Sequence, residues 1–76
     1  MVSYRLVSRI ISVVEGLYVV SVVAALESNP RQGSIVRFHE CCTLLEAEEY
    51  REILADQARA AVEAVGGEIV AEEVTT

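Results

Sequence analysis

Between Ile10 and Leu26 the chain carries a single charged residue, Glu15, and that residue stands directly before Gly16. The stretch reads as two runs rich in Val and Ile joined by a turn dipeptide, the pattern of a tight β-hairpin in which glycine supplies positive φ. A sheet with one wet face alternates apolar and polar residues, whereas a sheet covered on both sides can be apolar throughout. This hairpin belongs to the second kind. One helix in a chain of 76 residues covers one face only, so a second copy of the chain is expected to cover the other.

The remaining elements follow from punctuation. Tyr4–Val14 and Leu17–Leu26 form the hairpin, and Ser28-Asn29-Pro30-Arg31-Gln32-Gly33 is an exposed loop of turn formers. Residues 34–42 read as a third strand, with Val36, Phe38 and Cys42 on one side and Ile35, Arg37, His39 and Cys41 on the other. Thr43-Leu44-Leu45-Glu46 is a capping box, and it predicts a helix from Leu44 to Val65 that stops at Gly66-Gly67. Its apolar stripe is Ala47, Tyr50, Leu54, Ala58, Ala61 and Val65. Glu68–Val74 reads as the closing strand, parallel to the first on its free edge or paired across a dimer. The fold class is therefore α+β, β-β-β-α-β. A mainly antiparallel sheet carries one helix on one face and a dimer contact on the other, in a single domain spanning 1–76.

Register decides which residues meet the second copy. If Val14 pairs with Leu17 and the alternation is unbroken, Leu17, Val19, Ser21, Val23 and Ala25 share a face with Val14, Ser12, Ile10, Ser8 and Leu6. The expected interface residues are accordingly Leu17, Val19, Ser21, Val23 and Ile10. A one-residue slip swaps the faces of the first strand.

Charge and cysteine usage exclude several function classes. The net charge of −6 argues against a nucleic-acid binder, because phosphate affinity rests on clustered basic residues. Four arginines face two glutamates before residue 40, and ten acids face two arginines after it, so the halves are expected to complement each other. There is no lysine, which excludes Schiff-base chemistry. Glu15-Gly16 interrupts the apolar run, and a spanning helix needs about 20 apolar residues, so no membrane segment is expected. Two adjacent cysteines do not make a disulfide framework, and a reducing, cytoplasmic setting is expected.

Cys41 and Cys42 are the candidate reactive thiols. His39, two residues from Cys41 along a strand, is the candidate partner on the same face. Cys42 also precedes a helix start, where a thiolate is favoured. A third catalytic group and an oxyanion loop are missing from the sequence, and free cysteine commonly packs as a small hydrophobe. No metal or cofactor is expected, since one chain offers only a two-ligand fragment. The helix carboxylates read as a solvated face.

The run from Tyr4 through the Glu15-Gly16 turn, a third strand, the entry Cys42-Thr43-Leu44-Leu45-Glu46-Ala47 and a last strand resembles HicB-type antitoxins. The resemblance covers roughly 60 residues by order of elements. It implies a regulatory protein that binds a small toxin or ribonuclease, and it transfers no functional residue. Three expectations stand together: a non-enzymatic interaction or structural module that homodimerises through its sheet, with room for an unidentified protein partner; a HicB-like antitoxin; and a thiol enzyme or redox sensor using Cys41 or Cys42.

Overall fold

The structure, a computed structural model, describes residues 2–29, 31 and 33–75. Four strands, β1 (Val2–Val14), β2 (Leu17–Leu26), β3 (Ile35–Cys41) and β4 (Gly67–Thr75), and one helix, α1 (Leu44–Ala64), follow the order β-β-β-α-β. The strands form one mixed sheet in the order β3-β2-β1-β4. β1 pairs antiparallel with β2 and β2 antiparallel with β3, while β4 lies parallel to β1 on its free edge. Of the two positions open to the last strand, the chain takes the intramolecular one. Pro30 and Gln32, part of the expected loop, lie outside the described residues.

The hairpin sets the shape. Thirteen residues of β1 at ~3.3 Å each span about 43 Å, which matches the long axis of a 42 × 20 × 16 Å molecule. Gly16 takes φ 80 in the two-residue turn, the left-handed conformation that glycine adopts without strain, while Glu15 keeps a negative φ.

One irregularity reorganises β1. Val14 pairs with Leu17 as expected, but Tyr18 pairs with Ser12, so Val13 is an extra residue in a bulge. A bulge shifts the alternation by one, and every residue of β1 before it changes face. Tyr4, Leu6, Ser8 and Ile10 thus join Val20, Val22 and Ala24 beneath the helix, where all are buried. Ile10, expected at the outer contact, is instead a core residue at 8% exposure.

α1 covers this inner face. Thr43 sits at its N-cap with extended dihedrals, and the Glu46 amide donates to the Thr43 hydroxyl at 3.2 Å. The helix buries Ala47, Leu54, Ala55, Ala58 and Val62. The expected stripe is therefore rotated: Ala55 and Val62 replace Ala61 and Val65 at its centre, and Tyr50 lies at its half-buried margin. Val65 is the C-cap, just beyond the last helical turn, and is exposed. Alanines at three of the five buried positions bring the helix axis close to the sheet, which leaves Leu6, Val20, Val22 and Val62 as the largest fully enclosed side chains.

Among the described residues one ion pair, Arg5 with Glu73, joins the two charged halves, and the other three lie within a half. Arg5 of β1 reaches Glu73 of β4 at 3.0 Å and Glu27 at 3.3 Å, and Arg59 of α1 reaches Glu72 of β4 at 2.5 Å and Asp56 at 2.9 Å. These pairs are solvent-exposed, so each contributes only about 0–1 kcal/mol.

Candidate interaction surface

Among the described residues, nothing covers the face of the sheet opposite the helix. Side chains alternate across a strand, so the register defines its rows. Val7, Val23 and Val36 lie side by side, with Glu73 beyond Val7; Arg9, Ser21 and Phe38 form the next row, with Thr75 beyond Arg9; Ile11, Val19 and Glu40 form the third. Phe38 is 70% exposed, Val36 51% and Ile11 42%. A shallow groove of about 320 Å³ runs between β1 and β2, lined by Val7, Arg9, Ile11, Ser21 and Val23.

Leu17, Val19, Ser21 and Val23, expected at the contact, are brought together on this face, and Ile10 is not. Sequence reasoning missed Val7 and Ile11 because nothing in the sequence marks the bulge at Val13. It also left out Phe38 and Val36, although their alternation with Arg37 and His39 was a usable signal.

The two adjacent thiols sit in opposite environments, Cys41 buried and Cys42 exposed. Cys41 ends β3 opposite Tyr18, is 3% exposed and belongs to the core. Burial pushes its pKa up, and the nearby Glu46 and Cys42 push the same way. A thiol held protonated is a poor nucleophile. Cys42 is exposed, and both cysteines are free. His39 stacks on Tyr50 of α1, with ring centroids 3.9 Å apart and planes 17° from parallel. Among the described residues no hydrogen bond joins His39 to Cys41, and no group of three or more His, Cys, Asp or Glu is placed to hold a metal.

Two further features escape the sequence pattern. At the far end of the sheet, where β4 stops beside Arg9, a notch of about 460 Å³ lies between β1 and the start of α1, lined by Arg9, Ile10, Ile11, Ser12, Tyr18, Leu44 and Thr75. On the helix, Arg51 falls one turn from both Ala47 and Ala55 on the sheet-facing side, and its buried Nη1 has no hydrogen-bond partner. No described helix is long and apolar enough to cross a membrane. No protein-family model, curated protein or solved structure matches the chain.

Proposed function

We propose that the chain is a non-enzymatic interaction module that homodimerises through the open face of its sheet. The observation that carries this reading is the contiguous row structure of that face, with Val7, Val19, Val23, Val36, Ile11 and Phe38 facing solvent in the single chain. Total exposure points the same way. A monomer of 8.3 kDa exposes about 4,600 Å² on average, and this one exposes 4908 Å².

A second copy suits the face better than an unrelated partner because the face complements itself. A two-fold axis along the strands lays β1 over the partner's β2. Val7 then packs against the partner's Val23 and Ile11 against the partner's Val19, as in sandwiches of aligned sheets. Arg5, Glu40 and Glu73 flank the apolar rows with charge of both signs, and Arg9 in the middle row meets the partner's Ser21.

Sedimentation or light scattering at micromolar concentration tests the reading. The expected mass is at least twice 8.3 kDa, and Val23→Glu, which leaves the core untouched, lowers it. Far-UV circular dichroism shows whether the variant is folded. A wild-type protein that stays at 8.3 kDa, or a folded Val23→Glu protein with unchanged mass, overturns it.

A further inference from the structure

β1 places two arginines on the open face, and the chain satisfies only one of them. Arg5 and Arg9 both stand on the side away from the helix. Arg5 is held by Glu27 at 3.3 Å and by Glu73 at 3.0 Å. Arg9 has neither a side-chain hydrogen bond nor an ion pair among the described residues. It lies in the groove between β1 and β2, with Val7 and Ile11 on either side along its strand and Ser21 across from it. Closing that face over a lone guanidinium is costly, because the charge loses its hydration without gaining a counter-charge. The face contact therefore needs an acid within reach of Arg9.

The contact itself supplies one. The two-fold axis that sets β1 over the partner's β2 also sets β4 under the partner's β3. It brings the two copies of Arg9 to one level on either side of the axis, so their guanidiniums repel and turn outward. On that outward side, in the same row, the partner's Phe38 faces Thr75, and the partner's Glu40 stands in the adjacent row. With strands ~4.8 Å and sheets ~10 Å apart, the Cα of Arg9 lies about 11 Å from that of the partner's Phe38. At ~3.4 Å per residue along the strand, the Cα of the partner's Glu40 is about 13 Å away. An extended arginine and an extended glutamate span that distance together.

We propose that Arg9 of each copy pairs with the partner's Glu40 and lies across the partner's Phe38. A second copy is then selected by two symmetric clusters, one at each margin of the apolar rows. This rests on the face reading and adds to it the contact that recognises the partner. Both receiving groups are otherwise idle: Phe38 is 70% exposed, and Glu40 is exposed with no ion pair among the described residues. Glu73, the other acid flanking these rows, is already taken by Arg5. Arginine suits both receivers, since its planar guanidinium stacks on an aromatic face and forks onto a carboxylate.

Charge reversal tests the pairing. The readout is the dimer Kd from sedimentation over a range of protomer concentrations, with circular dichroism as the check on folding. Arg9→Glu sets two carboxylates against each other at each margin, and Glu40→Arg sets two guanidiniums there. Each is expected to raise Kd at least about tenfold. A one-to-one mixture of the two variants is expected to form a heterodimer at least about tenfold tighter than either variant alone, because each copy offers the charge the other lacks. Folded single variants with the wild-type Kd overturn the pairing, and so does a mixture that associates no better than its components. The face reading survives either result provided Val23→Glu still lowers the mass of the wild-type dimer. A wild-type protein that stays at 8.3 kDa removes the face reading and the pairing together.

Discussion

Gly67 opens β4 at the point where the last strand tucks under the first, and a single methyl group there tests how tightly the sandwich is closed. A Cβ on Gly67 would lie 2.6 Å from Cε1 and 2.9 Å from Cδ1 of Tyr4, and 3.1 Å from Cγ1 of Val62. Carbon atoms rest at about 3.5–4.0 Å, so the ring must retreat by roughly 1 Å. It has little room, because Tyr4 is 6% exposed and Val62 1%. Overpacking of this kind costs about 1–3 kcal/mol, while the loss of glycine's freedom in the unfolded chain returns about 0.4–1 kcal/mol. Gly67→Ala is therefore expected to destabilise by about 1–2 kcal/mol, which lowers Tm by roughly 5–15 °C in a domain of this size. Against the ~3–5 kcal/mol that a core so small supplies, the loss is large. Urea unfolding followed by circular dichroism, at one fixed protomer concentration because assembly contributes to stability, gives the value. The mechanism is checked by a double-mutant cycle with Tyr4→Leu. Removing the ring is expected to cost about 1 kcal/mol less in the Gly67→Ala background than in the wild type. A Tm unchanged by Gly67→Ala, or strictly additive costs, would refute the argument.

Three other outcomes follow from the cysteines and from Arg51. Cys42 is expected to react with maleimide in the folded protein while Cys41 reacts only after unfolding; equal rates would show that the β3 end is open. Because folding raises the Cys41 pKa, the unfolded chain releases that proton first as pH climbs past the ordinary thiol value near 9.0. Stability is then expected to fall above that pH by at most about 1.4 kcal/mol per unit, and Cys41→Ala, compared as a slope, should remove this component. Arg51→Met replaces a half-buried guanidinium whose Nη1 has no partner with an apolar chain of similar length. It is expected to be neutral or to raise stability by up to about 1 kcal/mol. A clear loss in thermal melts would mean that Nη1 has a partner in solution.

What the sequence revealed, and what it hid, has a consistent physical division. Local chemistry was legible. The Glu15-Gly16 turn, the ends of β2, the Thr43 cap and the two sides of β3 depend on a few neighbouring residues, and the structure has each where the residues place it. The apolar hairpin was also a sound guide to a sheet with one helix-covered face. What could not be read was a one-residue insertion in a run of Ile, Ser and Val, where either register buries apolar groups equally well. The bulge at Val13 moved Ile10 into the core and put Val7 and Ile11 on the open face. The helix stripe was misjudged for a related reason. With alanine at so many positions, periodicity does not settle which side faces the sheet, and contacts with Tyr4 and Leu6 do. The notch beside β1 depends on where β4 stops relative to a strand far away in sequence, which no local pattern encodes.

The parallel placement of β4 has a consequence for the order in which the molecule can be built. β1 is an interior strand, and its outer neighbour β4 is made only after β2, β3 and α1. On a ribosome, the hairpin and β3 can associate early, yet the outer margin of β1 stays bare until β4 emerges. Such long-range closure is slow. Synthesis therefore includes an interval in which a long β-branched margin is open to capture by a neighbouring nascent chain. Any stall or truncation before Gly67 would prolong that interval, and aggregation of such fragments is its expected sign.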